Sequence, residues 1–372
     1  MTKYRFDEIA INSTQKKKPT EEDKVYYIGL EHIDPGCFDV VRWGSDIAPT
    51  GDKLLMQKGD VLFGKRRAYQ RKVAIAPFDG IFSAHGMVLR PNLKVIDANY
   101  FPFFISSDKF MDVAIRISVG GLSPTINWKD LAKQEFELPS LEEQKVLADK
   151  LWAAYRLKQA YKKLLAATDE MVKSQFIEMF GGGANRIKLS SLCSTFVDGD
   201  WIESKDQSEL GIRLIQTGNV GNGFFKDKKD KSRYISEETF DNLHCTEIYP
   251  GDILVSRLPD PIGRACIIPQ GLGRTITAVD CTIIRLKDII LPDYFIAYTM
   301  TPSYAAQINE VTTGTTRRRI SRANLGNILI PCSSIAKQQQ FVAIAKQADK
   351  SKFELKQCIE NIDKVIKSLI NG

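Results

Sequence analysis

Residues 59–66, GDVLFGKR, carry most of a loop that could hold a nucleotide phosphate. In the G-x-x-x-x-G-K-[ST] pattern, backbone N–H groups surround the phosphates, Lys reaches them, and Ser or Thr binds magnesium. Gly59, Gly64 and Lys65 fit this pattern, but Arg66 stands where the magnesium ligand belongs. The run DVLF is typical of a strand rather than of a flexible phosphate cradle. The string therefore predicts a strand that leads into a basic loop.

Two basic clusters have the chemistry of nucleic-acid contacts. The first follows the strand directly and provides Lys65, Arg66, Arg67, Gln70, Arg71 and Lys72. The second lies in a Gly- and Thr-rich segment and provides Arg317, Arg318, Arg319 and Arg322. Arginine binds phosphates or the edge of guanine through two N–H groups, and Gln or Asn suits adenine. A solvated surface without a ligand is the alternative interpretation, since a net charge of +7 permits an anionic partner without requiring one.

Sequence motifs for catalysis are missing. The chain has neither the [DNS]-P-P-[YFW] signature of a methyltransferase nor a Gly-rich cofactor loop. Asp349, Glu354 and Lys356 imitate the D…E-x-K pattern of nucleases, but they fall in a heptad-patterned helix, whereas a nuclease needs them on neighbouring strands. The three His and seven Cys residues show no metal-ligand spacing. We therefore predict no catalytic, metal-binding or cofactor-binding residue in this chain.

The distribution of apolar residues and cysteines indicates the compartment. The sequence has no apolar run long enough for a transmembrane helix and no apolar core of a signal peptide near its start. Its seven cysteines are scattered and odd in number. We expect a reduced, cytoplasmic protein without a membrane partner.

The sequence repeats itself. Residues 59–77, GDVLFGKRRAYQRKVAIAP, match residues 251–269, GDILVSRLPDPIGRACIIP, without a gap. YIGLEHI likewise matches LIQTGNV, GGLSPTINWKDL resembles TGTTRRRISRANL, and ELPSLEEQ matches LIPCSSIAKQQ. The repeat adds Asn219, Arg257 and Arg264 to the candidate DNA contacts. The two basic clusters occupy different positions of the repeat, as expected for modules that share a frame and read different sequences.

Each half of the repeat combines strands with one long helix. Residues 1–138 and 186–331 are rich in short strands, and each half also contains one shorter helical segment, at 98–117 and 292–311. Long helices follow at about 141–179 and 334–370. The second has a coiled-coil seam, Leu355, Ile359, Ile362, Ile366 and Leu369. The packing positions predicted on the first are Leu147, Leu151, Tyr161, Leu165 and Val172. Two surface helices on separate cores would be the alternative to a paired spacer.

These features together resemble the DNA-specificity (S) subunits of type I restriction-modification enzymes. The resemblance rests on the two-fold repeat, on GDVLF and GDILVSR, and on LPSLEEQ running into a long helix. It implies two target recognition domains, each reading one half of a split, asymmetric site in double-stranded DNA. It also implies that the helices dock two methyltransferase (M) subunits, and that motor-nuclease restriction (R) subunits join for cleavage. S-adenosylmethionine, ATP and magnesium would then belong to these partners, and this chain would have no catalytic activity of its own.

The resemblance implies an α+β fold with pseudo-two-fold repetition. Its expected parts are target recognition domain 1 at 1–140, a central conserved helix at 141–180, target recognition domain 2 at 181–331 and a C-terminal conserved helix at 332–372. A Gly-rich joint would occupy 181–186, and the two helices would pair as an antiparallel coiled-coil spacer.

One departure and two alternatives accompany this assignment. The second LPSLEEQ-like element is degenerate, and matching its proline to that of the first puts two additional residues before Gln338, which predicts altered helix docking. A self-contained DNA-modifying or DNA-cleaving enzyme is one alternative function, and a protein-binding adaptor is another. Steep weakening of binding with salt would separate DNA binding from an apolar protein interface.

Overall fold

The computed structural model of the chain describes residues 2–182, 185–314 and 318–371. Its contacts divide the chain into two compact units. Unit 1 contains residues 1–163 and 356–372, and unit 2 contains residues 164–355. Each of the two long helices therefore contributes to both units.

Unit 1 is built from short strands and helices. Within the described residues its strands are β1 Thr2–Arg5, β2 Ala10–Ser13, β3 Lys16–Lys17, β4 Tyr27–Ile28, β5 Lys53–Met56, β6 Val61–Phe63, β7 Val73–Ile75, β8 Gly80–Phe82, β9 Met87–Pro91 and β10 Glu135–Leu138. Its helices are α1 Phe6–Ile9, α2 Phe101–Ser106, α3 Asp108–Arg116, α4 Trp128–Leu131 and the first part of α5 Leu141–Phe180.

The central sheet of unit 1 lies between two apolar cores. Its order is β2-β9-β6-β7, and a second sheet has the order β3-β5-β8-β4, while β1 pairs with β10. Val61 and Phe63 pack into the core that contains the helices, whereas Leu62 packs into the core shared with the second sheet. Successive side chains of a strand point to opposite faces. The continuous apolar run DVLF is therefore a strand buried on both faces, which confirms its sequence interpretation.

Unit 2 repeats this plan. Within the described residues its strands are β11 Asn185–Lys188, β12 Cys193–Asp198, β13 Ile212–Ile215, β14 Arg233–Ile235, β15 Glu247–Ile248, β16 Ile253–Ser256, β17 Ala265–Ile267, β18 Thr275–Thr277, β19 Cys281–Leu286 and β20 Leu329–Cys332. Its helices are α6 Glu237–Asn242, α7 Pro292–Thr299, α8 Pro302–Val311, α9 Arg322–Gly326, the end of α5 and the start of α10 Ile335–Asn371.

The two units share a sheet frame and differ in the edge of the second sheet at which a fourth strand is added. The order β12-β19-β16-β17 in unit 2 reproduces β2-β9-β6-β7 of unit 1, and β11 pairs with β20 as β1 pairs with β10. In the second sheets, β4 and β8 form a parallel pair, as do β13 and β18. The fourth strand differs, because β3 joins β5 in unit 1 whereas β14 joins β13 in unit 2. The central sheet and the paired terminal strands are thus the same in both units, whereas the segments that connect them differ.

The repeated Gly-Asp pair that opens each central strand has a structural role. Gly59 and Gly251 both adopt the left-handed conformation, with φ of 91° and 94°, which favours glycine. The buried Asp60 carboxylate accepts hydrogen bonds from Arg90 at 2.7 and 2.9 Å. The corresponding pair in unit 2 is Asp252 and Arg285. The Gly-Asp pair therefore has a structural role in both units, in which the glycine turns the chain and the buried carboxylate binds an arginine.

The shorter helical segment expected in each half is divided into two helices. Ser107 separates α2 from α3, and its hydroxyl accepts a hydrogen bond from the backbone N–H of Phe110. Thr301 separates α7 from α8 and accepts from Tyr304 in the same way. A Ser or Thr side chain that caps a new helix favours such a break, because it satisfies an N–H group of the first turn.

The two long helices pack against each other antiparallel within each unit. In unit 1, Ile366 and Leu369 of α10 pack on the core that includes Leu151, and Lys158 forms an ion pair with Asp363. In unit 2, Lys352 of α10 pairs with Asp169 of α5 at 2.9 Å. The other predicted packing positions, half-buried as in a two-helix seam, are Leu147, Tyr161, Leu165, Val172, Leu355, Ile359 and Ile362. No helix in the described ranges is long and apolar enough to cross a membrane.

A buried glutamine in the first turn of each long helix makes the same set of hydrogen bonds in both units. Gln144 accepts a hydrogen bond from the N–H of Asp97 and donates to the carbonyls of Val95 and Pro139. Gln338 likewise accepts from Leu291 and donates to the carbonyls of Ile289 and Ser333. The equivalent of Pro139 is therefore Ser333, so the two additional residues expected before Gln338 are absent. That expectation was wrong because it matched one proline with another, whereas the buried amide sets the register.

Candidate nucleic-acid interface

The basic loop after β6 is compact. Arg67 and Arg71 adopt left-handed backbone conformations, with φ of 57° and 52°, on either side of a single helical turn at Ala68–Gln70. Arg71 is held by Asp108 at 2.5 Å, and Lys72 donates to the carbonyl of Leu30 at 2.6 Å. These two cations therefore fix the loop to the rest of unit 1, and Gln70, which precedes them, is half-buried.

Arg66 and Arg67 lie against a second loop, residues 119–125. The backbone N–H of Arg67 donates to the carbonyl of Pro124 at 2.7 Å. Both guanidinium groups donate to the hydroxyl of Ser123, Arg66 at 3.2 Å and Arg67 at 3.0 Å. Among the described residues neither guanidinium forms an ion pair, so both positive charges remain available to an anion.

Lys65 and His85 are further titratable groups near Arg66. Lys65 is half-buried, and burial followed by the charge of Lys16 lowers its pKa. The ring of His85 lies 3.4 Å from a guanidinium nitrogen of Arg66. Partial desolvation lowers the pKa of His85, and the charges of Arg66, Lys65 and Lys53 lower it further. Burial is the first cause of both shifts and neighbouring positive charge adds to it, and such a concentration of positive charge favours an anion such as a phosphate.

Three candidate residues of unit 2 are buried in structural roles. Arg264 is 7% exposed and donates to four backbone carbonyls, those of Thr217, Val220, Leu258 and Pro261. Asn219 is buried and bonds to the backbone of Gln216 and Lys226. Arg257 is 4% exposed, donates to the carbonyl of Val279 and lies 3.5 Å from Asp198.

These positions correct the transfer of DNA contacts through the repeat. The strand register does align Arg257 with Lys65 and Arg264 with Lys72, since Val255 pairs with Ala265 as Phe63 pairs with Val73. Arg257 and Arg264 thus occupy the same backbone positions as Lys65 and Lys72, but their side chains are buried. The guanidinium of Arg264 makes four hydrogen bonds to carbonyl groups of its own unit, and a buried donor set of this kind stabilises loops rather than reaching DNA.

The arginine cluster of unit 2 lies in a loop equivalent to residues 119–125. Thr313 and Arg319 exchange two backbone hydrogen bonds, as Val119 and Thr125 do in unit 1. Ile320 then donates to the carbonyl of Arg257, as Ile126 donates to that of Lys65. Arg318, Arg319 and Arg322 are exposed, and Arg322 lies 3.9 Å from Asp198. Arg317 lies outside the described residues.

The two basic clusters therefore lie at the same place in their units, although their sequence positions differ. In unit 1, Arg66 and Arg67 come from the loop after β6, and both donate hydrogen bonds to the second loop. In unit 2, Arg318 and Arg319 belong to that second loop itself, and Arg322 is the first residue of α9 after it. We call this place, formed by 64–72 with 118–126 or by 256–264 with 312–314 and 318–321, the basic end of each unit.

Comparison with known proteins assigns the chain to a family. The model of the type I restriction modification DNA specificity domain matches residues 3–166 and again residues 185–364. The chain belongs to this family. Its fold is accordingly that of two such domains in tandem, each with a long helix, as expected from the sequence.

Relatives of this specificity family cover most of the chain at low identity. The type I restriction enzyme EcoKI specificity subunit of Escherichia coli (strain K12) is 21% identical, with 94% of this chain and 82% of the relative covered. The putative MjaX specificity subunit of Methanocaldococcus jannaschii is 23% identical over 94% of this chain and 87% of its own. The EcoDI subunit of Escherichia coli is 26% identical, but over 48% of this chain and 41% of its own.

Solved structures agree with the fold of the specificity family. A chain from a study of complex assembly and conformational transition of the type I R-M system has a TM-score of 0.64 at 17% identity, covering 99% of this chain and 96% of that one. The type I restriction-modification S subunit of M. genitalium has a TM-score of 0.53 at 14% identity, covering 99% and 94%.

Several residues of the basic ends were missed by sequence reasoning. His85 and Ser123 come from segments without a basic run, and only the fold brings them to Arg66 and Arg67. Trp201, which is not among the residues that define the basic end of unit 2, is 69% exposed and borders a cavity of about 520 Å³. This cavity is also lined by Gln207, Gln216 and Arg233, so it combines an aromatic ring with groups that hydrogen-bond to bases.

Proposed function

We propose that this chain is the subunit that selects the DNA site of a type I restriction-modification complex, and that each unit reads one half of a bipartite, asymmetric site. The observation that carries this proposal is the basic end of unit 1, where Arg66 and Arg67 are held by a neutral hydroxyl and by backbone groups. Guanidinium groups placed in this way can bind phosphates or the edge of guanine. The different origin of the arginines in unit 2 supports two readers with different half-sites.

In this proposal the chain is a scaffold without catalytic residues. It would dock methyltransferase subunits, two by the two-fold repetition, and restriction subunits would join for cleavage. S-adenosylmethionine, ATP and magnesium would bind to those partners. Asp349, which a nuclease site would need as a free ligand, forms an ion pair with Lys352 on the same helix. Charge pairs along an exposed helix face account for these residues.

The test is to map methylated adenines in the genome of the source organism with and without this gene. Loss of one bipartite, asymmetric methylation motif on deletion is the expected result, and it would define both half-sites and the spacer. An unchanged methylome, with the partner subunits expressed, would contradict the proposal.

Salt dependence separates the proposal from the adaptor alternative. Binding of the full-length chain to a duplex that carries the mapped motif should weaken steeply as salt rises, because bound phosphates release counterions. Binding to another protein through an apolar surface would respond weakly to salt, and such a result with no DNA binding would favour the adaptor.

A further inference from the structure

Leu122 is the most exposed large apolar residue of unit 1 among the described residues, at 96%. It lies near the middle of the loop 119–125. Single exposed apolar side chains are common on protein surfaces. This one differs in how firmly its loop is held and in what lies beside it.

The loop that carries Leu122 is closed at both ends by backbone hydrogen bonds. Val119 donates to Thr125 at 3.0 Å, and Thr125 donates back at 2.9 Å. Gly120 has a φ of 118°, a conformation that favours glycine and turns the chain sharply. An added Cβ at Gly121 would meet no atom within 4 Å, so the tip stands free of the unit. The apolar side chain is therefore displayed on a short, closed loop.

Positive charge lies directly beside this tip. Ser123, the next residue, receives hydrogen bonds from the guanidinium groups of both Arg66 and Arg67. Pro124 accepts from the backbone of Arg67. Since neither guanidinium has a carboxylate partner among the described residues, a ligand of this surface has to satisfy two cations and one apolar side chain together.

Duplex DNA meets both requirements at one place. Proteins that bind the minor groove insert side chains such as Leu, Ile or Phe between base steps, where the side chain leaves water and contacts base faces, and basic residues hold the flanking phosphates. A protein partner would instead be expected to place carboxylates opposite Arg66 and Arg67.

We propose that Leu122 is a wedge that inserts between two base pairs, from the minor groove, in the half-site contacted by unit 1, and that it kinks the duplex there. This inference rests on the proposed function. By the register of Val119 with Thr313, the sequence has Thr316 at the equivalent position of unit 2, which lies outside the described residues. A threonine is polar and short, so the kink is expected in one half-site and not in the other.

The experiment uses the full-length chain and a duplex that contains the methylation motif mapped in the genome. Fluorophores at the ends report bending by energy transfer, and 2-aminopurine at successive adenines reports unstacking. The wild-type chain should bend the duplex and raise 2-aminopurine fluorescence at one step of one half-site. Leu122→Ala should abolish both signals and weaken binding about tenfold, equivalent to 1.4 kcal/mol. Leu122→Met, which keeps an apolar side chain of similar volume, should retain them.

Leu93→Ala is the matched control. Leu93 is 66% exposed and follows β9, at the end of that strand opposite to His85, so its loss should change neither signal. Equal melting temperatures of the variants would exclude a folding defect.

The results that would refute the wedge differ from the result that would refute the proposed function. If Leu122→Ala bends and unstacks the motif as the wild type does, the wedge is refuted while site recognition stands. If Leu122→Ala bends DNA normally but loses a methyltransferase subunit during co-purification, Leu122 belongs to a protein interface and the wedge is equally refuted. If the wild-type chain with its partner subunits binds no mapped motif, the proposed function itself fails, and the wedge with it.

Discussion

At the level of single residues, the basic end of unit 1 joins groups that come from three segments of the chain. Lys65, Arg66 and Arg67 follow β6, His85 precedes β9, and Ser123 belongs to the loop after α3. The guanidinium groups bond to a neutral hydroxyl and keep their full charge. Arg71 and Lys72 follow closely in sequence, but Arg71 forms an ion pair with Asp108 and Lys72 donates a hydrogen bond to a backbone carbonyl. The candidate DNA contacts therefore differ from the cations that hold the loop in place by their exposure and bonding partners, and not by their charge.

Substitution of Arg66 or Arg67 by Ala should weaken recognition of one half-site and leave the preference for the other intact. A lost base contact should cost about 1–3 kcal/mol of discrimination at one position, whereas a lost phosphate contact should weaken binding to all sequences and reduce the salt slope. Binding of duplexes with one altered half-site would measure this. Arg42→Ala, which removes an exposed arginine already paired with Asp34, is the control. Equal loss at both half-sites would contradict modular reading.

DNA affinity should rise as pH falls through the range in which His85 titrates. In the free chain the pKa of His85 lies below its ordinary value of 6.5 because of desolvation and the neighbouring cations. A phosphate beside the ring raises that pKa, so binding takes up a proton and is favoured at lower pH. Affinities measured at constant ionic strength would show this slope, and His85→Gln should flatten it. His244→Gln, at an exposed histidine of unit 2, should not.

At the level of elements, the start of each long helix is tied to its unit by one glutamine. Gln144 and Gln338 are fully buried and each form three hydrogen bonds with backbone groups. The first helix adds a reciprocal cap, in which Ser140 and Glu143 bond to each other's backbone N–H groups, whereas Lys337 stands at the position of Glu143 in the second. The degenerate second motif therefore retains the buried glutamine amide, but it lacks the acidic side chain that completes the reciprocal cap in the first.

Gln144→Ala and Gln338→Ala should each lower the free energy of unfolding by roughly 2–4 kcal/mol, because each leaves buried N–H and carbonyl groups without partners. The two losses should be similar, since the bonding is the same. Ser140→Ala should cost about 1 kcal/mol, because it removes only an exposed cap. Denaturant unfolding monitored by circular dichroism would compare the three. A negligible effect of Gln338→Ala would show that the second helix does not depend on this amide.

At the level of the whole molecule, two domains of one family follow each other, and two helices contribute to both compact units. Within unit 1, Lys158 pairs with Asp363, and within unit 2, Asp169 pairs with Lys352. A paired spacer of this kind would set the distance between half-sites in the proposed function.

Removal of one heptad from each helix should shorten the spacer between the half-sites. Deletion of residues 160–166 together with 355–361 keeps both interhelical ion pairs and the phase of the seam. Each helix loses about 10 Å, which corresponds to about three base pairs at about 3.4 Å per pair. Methylome mapping of the variant would give the new spacer, or loss of methylation if assembly fails. An active complex with an unchanged spacer would contradict the spacer role. Deletion from α5 alone, which breaks the pairing, is the control for destabilisation.

The sequence by itself determined the repetition, the strand and helix classes and the family. Apolar runs bounded by Gly and Asp, the heptad spacing of the last helix and the matched order of motifs are local patterns, and each reflects a local physical requirement of backbone or packing. Tertiary structure alone decided which cations are available. Arg264 and Arg67 have the same charge, yet the first donates to four carbonyls, two of them from a segment more than 40 residues away, whereas the second donates to a serine hydroxyl. It also decided that the two basic clusters share one place in their units, because hydrogen bonds between loops far apart in sequence, such as Ile126 to Lys65 and Ile320 to Arg257, bring them together.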